Sequence, residues 1–240
     1  MSFMTLEEFA KKGGKRKSSQ KDANKLKPIA ECLLKYLQEK TGKQFSYELE
    51  YKPVWSKTIP DKSIIHKHWK VIETLYPKLV DEKYNLNERL LLCKKSTSQS
   101  FDIWFKEPFN FAVEFDESQH FSQFRKLTLD YYKGIKIGFD IEFYRSLMEN
   151  KNPGTSGFQC LKTNDPLFPY ILPGEKQDNR IRQRAFRDFL KDILPLEMGF
   201  NPTIRIPYQI VNEKINDFDS EDLKKIVNYF ANIVTKIKLV

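Results

Sequence analysis

Phe101-Asp-Ile-Trp-Phe-Lys-Glu-Pro-Phe-Asn-Phe-Ala-Val-Glu-Phe-Asp116 is the stretch whose reading decides the fold. Ser100 to Phe105 and Phe111 to Phe115 are rich in β-branched and aromatic residues, and Lys106 to Asn110 between them has turn chemistry, so the stretch predicts a β-hairpin. Strand side chains alternate from face to face, which puts Glu114 and Asp116 on one face of the second strand. A tight hairpin brings Asp102 of the first strand to the same place. Three converging carboxylates repel one another unless a cation joins them, and hard oxygen ligands in a small cluster suit Mg²⁺ or Mn²⁺. The alternative is that the three acids are ordinary charges on the solvated face of an amphipathic hairpin, and their neighbours weigh against it.

Working outward, Gln119 to Lys133 carries Phe121, Phe124, Leu127 and Leu129 among polar residues, as a helix leaving the hairpin would, and Phe139 to Tyr144 reads as a third strand. Upstream, Ile29, Cys32, Leu33, Tyr36 and Leu37 recur at helical spacing over Pro28 to Lys40, with Thr41-Gly42 as the stop. Phe45 to Tyr51 alternates like a strand, Ile64 to Val80 is helical around Trp69, Ile72, Leu75 and Tyr76, and Asn85 to Cys93 is a short helix. Downstream, turn signals crowd Asn150 to Gly174, which reads as a long loop. A helix over Asp178 to Leu194, a short strand over Thr203 to Ile206 and a last helix from Glu221 to Lys238 complete the chain. Lys11 to Lys27 is basic and poor in apolar residues, so residues 1–27 read as a flexible basic arm, before which Thr5-Leu-Glu-Glu8 has the capping-box pattern. Residues 28–240 then form one α+β domain with its core at about 95–150.

The 240 residues are 40% hydrophobic, enough for a true core, and 41 Lys and Arg against 32 Asp and Glu give a formal charge of +9. Such a field attracts polyanions, and nucleic acid is the first partner to consider. The three cysteines, Cys32, Cys93 and Cys160, form no C-x-x-C pair and suggest neither a disulfide framework nor a zinc site. No apolar run is long enough to span a bilayer and no signal peptide is evident, so a cytoplasmic protein away from membranes is expected. Neither a phosphate-binding loop nor a G-x-S-x-G elbow occurs, which argues against a nucleotide cofactor and against serine hydrolase chemistry.

Phe101-Asp-Ile103 followed by Val113-Glu-Phe-Asp-Glu-Ser-Gln-His120 resembles the PD-(D/E)xK nuclease superfamily, in which an acid of one hairpin strand is followed by an acid-x-Lys motif on the next. The nearest variant is the very-short-patch-repair-like branch, whose hallmark is similar to V-E-x-D-G-x-x-H followed by a helix bearing Arg and Asp. Here His120, Arg125 and Asp130 stand at the corresponding places, Glu117 replaces the glycine, and Asp116 replaces the motif lysine. The resemblance covers roughly Phe101 to Arg145 and implies a restriction-endonuclease-like central mixed sheet flanked by helices. It implies a Mg²⁺ site at Asp102, Glu114 and Asp116, joined by Glu31 from the first helix. Lys106, Lys126, Arg125 or a second metal would take over the role of the missing lysine.

His120 is placed to orient or deprotonate a water. Arg125 and Lys126, and the row Arg180, Arg182, Arg184 and Arg187 with Lys191, suit a phosphate backbone, whereas a solvated helix face on which that row pairs with Asp178, Asp188 and Asp192 is an equal alternative. His66 and His68 have no acidic partner nearby in sequence and read as surface or phosphate-contacting residues. The expectation is a Mg²⁺-dependent DNA endonuclease of restriction type, acting on double-stranded DNA as a homodimer. A non-catalytic nucleic-acid-binding or defence module and a structure-specific repair nuclease are the alternatives.

Overall fold

The structure is a computed structural model that describes residues 18–149, 165–169, 178–211 and 218–239, without the side chains of residues 18–25 and 149. In chain order the elements are α1 (Ser18–Thr41), β1 (Tyr47–Tyr51), α2 (Trp69–Leu79), α3 (Leu86–Leu91), β2 (Phe101–Phe105), β3 (Phe111–Asp116), α4 (Gln123–Leu129), α5 (Ile141–Glu149), α6 (Asn179–Glu197), β4 (Ile204–Pro207) and α7 (Ser220–Lys236).

The hairpin is β2 and β3, paired antiparallel with Ile103 opposite Val113 and Phe105 opposite Phe111. Its turn closes at Asn110 with φ 44°, a left-handed conformation that asparagine tolerates better than most side chains. β1 adds antiparallel to β2 and β4 adds parallel to β3, giving a four-stranded mixed sheet in the order β1-β2-β3-β4. With its flanking helices this is an α+β fold.

The two faces of the sheet differ in chemistry. Ile103, Phe105, Phe111, Val113 and Phe115 are buried in the main core, where α1 and α7 cover them. Phe111 stacks on Phe230 at 6.2 Å between centroids, and Tyr36 meets the same ring edge-on at 6.0 Å. Aromatic burial of this kind contributes about 2 kcal/mol per side chain. The other face carries a small apolar cluster of Phe101, Trp104 and Ala112 with Trp55 and Phe200, and, toward the open end of the hairpin, the carboxylates. Helix α6 lies over that face, held by the buried stripe Ala185, Phe186, Phe189, Leu190 and Ile193, and α4 packs against α6 in turn. Ser122 caps α4 by accepting from Arg125 N at 3.2 Å, and Asp219 caps α7 by accepting from Glu221 N and Asp222 N.

Several boundaries differ from the sequence reading. Helix α1 reaches back to Ser18, so the part of the expected arm from residue 18 to 27 is helical. Phe139 to Tyr144 is not a strand. Gly138 makes one parallel bridge to Ile204, after which Asp140 accepts from Phe143 N at 3.0 Å and the chain turns into α5. A Cβ on Gly138 would stand 2.4 Å from Thr203 O, so only glycine allows this approach to β4. The expected helix over Gln119 to Lys133 divides into a 3₁₀ turn, Ser118–His120, and α4. Thr5 to Glu8, Cys160 and most of the expected long loop lie outside the described residues. No described helix is long and apolar enough to cross a membrane.

Candidate active site

The β2–β3 ladder stops at Ile103 and Val113, and side chains take over its hydrogen bonds where the hairpin opens. Asp102 N donates to Glu114 Oε1 at 3.2 Å, and Asp102 Oδ2 accepts from Phe115 N at 2.8 Å. The two acids are thus fixed by the strands that carry them. Lys191, reaching down from α6, donates to Glu114 Oε2 at 2.6 Å, and its ammonium lies 5.7 Å from the centre of the Phe101 ring. Burial pushes the Glu114 carboxyl up to about 7, against the opposing pull of Lys191. Burial also raises Asp102, while Glu114 and Asp102 together hold the Lys191 ammonium above its ordinary range despite its own burial.

Asp116 belongs to a second layer of pairing. Arg205 of β4 is fully buried and reaches three aspartates: Nη1 donates to Asp116 Oδ1 at 2.7 Å, Nε to Asp192 Oδ1 at 2.6 Å, and Nη2 to the backbone carbonyl of Asp188 at 2.9 Å, with the Asp188 carboxylate 3.9 Å away. The second oxygen of Asp116 accepts from Tyr144 OH at 3.0 Å. Asp192 is shared further with Arg125 Nη2 at 2.9 Å and with Tyr132 OH. A buried ionic network of this sort survives only when every member is paired. Here the pairing runs from α4 through α6 to β4, β3 and α5.

His120 links the network to solvent. Its Nδ1 lies 2.8 Å from Asp188 Oδ2, and its Nε2 lies 3.2 Å from Arg184 Nη1. Guanidinium nitrogens only donate, so Nε2 faces Arg184 as the acceptor while Nδ1 faces the Asp188 carboxylate. Burial works to raise the Asp188 carboxyl, but the His120 ring and Arg205 hold it below the usual carboxylate range.

Above this floor opens a cavity of about 530 Å³, lined on its acidic side by Asp102, Glu114 and Glu117 and on its basic side by Arg180, Arg184, Arg187 and Lys191. The basic wall is one face of α6. Residues 180, 184, 187 and 191 recur at the spacing of a helix with about 3.6 residues per turn.

The sequence-read candidates divide accordingly. Asp102, Glu114 and His120 line one cavity, with Arg180, Arg184 and Arg187 on its wall. Asp116 faces the same way but is turned into the Arg205–Tyr144 pairing, and among the described residues no group of three or more His, Cys, Asp or Glu side chains is arranged to hold a metal ion. Glu31 is mostly exposed on α1, 3.8 Å from Lys27 one turn away, and does not join the acids. Arg125 is 1% exposed and bound to Asp192, so it cannot present itself to a phosphate backbone. Arg182 points to the opposite side of α6, into Asp178 at 2.7 Å and Asp81 at 2.8 Å, and stacks on Phe124. Lys126 is partly exposed on α4, away from the cavity. His68, expected at the surface without a partner, bonds Glu197 at 2.7 Å, and Glu197 also accepts from the backbone of residues 66 to 68. Sequence reading placed Lys191 only among residues facing phosphates, and it gave no role to Arg205, Tyr144 or Gln119.

No family model and no solved structure matches the chain. The mannonate dehydratase of Oceanobacillus iheyensis is 28% identical over an alignment of 153 residues that covers 58% of this chain. The chain spans 43% of that protein's length. The expectation of a DNA endonuclease, with its nucleic-acid-binding and repair alternatives, does not stand. The likeness found is to a sugar-acid dehydratase, and Arg125 and Arg182, assigned to DNA, are consumed by ion pairs within the fold.

Proposed function

We propose that the chain is an acid–base enzyme acting on an anionic substrate bound in the cavity over Asp102, Glu114 and Lys191. The observation that carries this reading is the Glu114–Lys191 pair: a carboxyl pushed up to about 7, hydrogen-bonded at 2.6 Å to an ammonium, at the floor of a cavity with an arginine wall. A carboxyl half-ionised near neutral pH is suited to take and return a proton, and the neighbouring ammonium stabilises negative charge that develops on the substrate. His120, with Nε2 as its accepting nitrogen, is a second proton carrier oriented by Asp188.

In its ionised form Glu114 would, with Asp102, hold a divalent cation, proton transfer then falling to His120. Two carboxylates with space for water suit Mg²⁺ or Mn²⁺, which bind through one or two carboxylates and keep several waters. Such an ion would polarise a substrate oxygen. Asp116 is not part of that set.

The finer architecture belongs to the same proposal. A restriction-endonuclease-like arrangement is supported by the antiparallel hairpin followed by a parallel β4, and by Lys191 reaching from α6 to the acids in place of a lysine on β3. The arrangement is a scaffold and prescribes no substrate.

The likeness to mannonate dehydratase favours elimination of water from a sugar acid within this class. One group removes the proton next to the carboxylate, another protonates the departing hydroxyl, and water leaves. The test is to incubate the protein with mannonate and other sugar acids, with Mg²⁺ or Mn²⁺, and to follow new carbonyl product. Glu114→Gln and Lys191→Met should each lower turnover by about a hundredfold or more while the circular dichroism spectrum is kept. Wild-type protein that turns over no hydroxylated anion, or a Glu114→Gln variant as active as wild type, would sink the reading.

A further inference from the structure

Beside the cavity lies a side chamber of about 290 Å³ that shares Thr58, Thr97, Arg180 and Arg187 with it and adds Lys95, Asp165 and Gln183. Its charge is unbalanced. Asp165 is the one carboxylate among its described lining residues, and both of its oxygens are already in use: Oδ1 accepts from Leu167 N at 3.0 Å, and Oδ2 accepts from Gln183 Nε2 and from Arg187 Nη2 at 3.1 Å. Even with Arg180 left aside, Lys95 and Arg187 face that single negative charge. Residues 150–164, which precede Asp165 in the chain, contain no acid. Lys95 is exposed and the Arg187 side chain is 30% exposed, so solvent reaches both. Burial, with Arg184 adding to it, holds the Arg187 guanidinium below its ordinary range although Asp165 pulls the other way. The hydroxyls of Thr58 and Thr97, 3.4 Å apart on the shared wall, add neutral donors. Excess positive charge among partly desolvated donors favours an anion.

We infer that the side chamber is a second anion subsite, so that the substrate carries two anionic groups, one at Lys191 and the other between Lys95 and Arg187. Its bearing on turnover rests on the acid–base reading. Helix geometry sets the spacing. Arg187 stands one turn and Arg180 three turns before Lys191 on α6, about 6 and 16 Å along the axis at a rise of about 1.5 Å per residue. The two anionic groups therefore belong at opposite ends of the molecule and not on neighbouring atoms. A second carboxylate and a phosphate ester share the required chemistry, and the experiment separates them.

The experiment is calorimetric titration of the full chain with gluconate, which has one anionic group, and with glucarate and 6-phosphogluconate, which have two. Glucarate or 6-phosphogluconate should bind at least about tenfold more tightly than gluconate, the better of the two identifying the second group. Lys95→Met should remove most of that advantage and leave gluconate as it was. Lys133→Met changes an exposed lysine outside the cleft and should leave all three ligands as they were, which controls for the general pull of a basic protein on dianions. Thermal melts show that each variant is folded. Dianions that bind no more tightly than gluconate, a Lys95→Met variant that keeps the advantage, or a Lys133→Met variant that loses it equally would overturn the inference. Failure of the acid–base reading looks different: if no sugar acid is turned over while the Lys95-dependent advantage persists, that reading fails and the subsite stands.

Discussion

At the scale of single residues, Glu114 carries the most consequence because its environment works against its charge. Its carboxyl is 2% exposed and sits at about 7, so between about pH 4.5 and 7 the folded protein holds a proton that the unfolded chain has released. Stability falls with pH wherever the native state binds more protons. This group therefore lowers stability as pH rises through that window, by about 3 kcal/mol at most. We expect Glu114→Gln to abolish that part of the decline in urea-unfolding free energy, and a variant whose pH profile parallels wild type would contradict the placement. The pairing of Asp102 with Glu114 was legible in the sequence because strand periodicity and a five-residue turn are local facts. The partner of the pair was not. Lys191 follows Glu114 by 77 residues, and only the packing of α6 on the sheet makes them neighbours. Asp116 shows the converse, since a motif position is a ligand only while no nearer charge claims it, and Arg205 does so at 2.7 Å.

At the scale of elements, α6 shows how one helix can serve two purposes. Its apolar stripe was readable from spacing, and spacing also separates Arg180, Arg184, Arg187 and Lys191 from Arg182, which the helix turns toward Asp178 and Asp81. Which of those faces looks into a cavity depends on the sheet beneath, and no local pattern reveals it. The same limit explains Phe139 to Tyr144, where aromatic and β-branched residues suggested a strand but the Asp140 cap and the crowding of Gly138 on Thr203 redirect the chain into α5. That helix brings Tyr144 to Asp116. Arg205 is the joint on which these elements converge, pairing β4 with β3 and with α6. Removing one partner of a buried ionic network leaves uncompensated charge and costs about 3–5 kcal/mol. We expect Arg205→Met to lose stability on that scale in urea unfolding. Arg205→Lys should recover little of it, because one ammonium cannot serve three directions that the guanidinium fork serves at once. A loss under about 1 kcal/mol for Arg205→Met would mean that Asp116, Asp188 and Asp192 do not depend on it.

At the scale of the whole molecule, the charge is distributed in opposition. The chain carries a formal +9, yet at the floor of the cavity five carboxylates (Asp102, Glu114, Asp116, Asp188 and Asp192) meet three cations (Lys191, Arg125 and Arg205). With Glu114 ionised, Arg205 and Arg125 match Asp116 and Asp192 and Lys191 matches Glu114, which leaves Asp188 facing His120 and one negative charge in excess at the Asp102–Glu114 end. A basic exterior draws an anion to the arginine wall, and the excess beneath it draws a divalent cation. Protons and metal compete for Glu114, so cation binding must tighten as pH rises through about 7. We expect 10 mM Mg²⁺, on the order of a hundred times a sub-millimolar Kd, to stabilise the protein by about 2–3 kcal/mol at pH 8, read as an upward shift in melting temperature. The shift should shrink at pH 5.5, where Glu114 is protonated, and vanish in Asp102→Asn, while Asp116→Asn, whose side chain serves Arg205 and Tyr144, should lower the baseline melting temperature and leave the Mg²⁺ shift in place. A shift that survives Asp102→Asn but disappears in Asp116→Asn would return the metal to the carboxylate that the structure gives to Arg205.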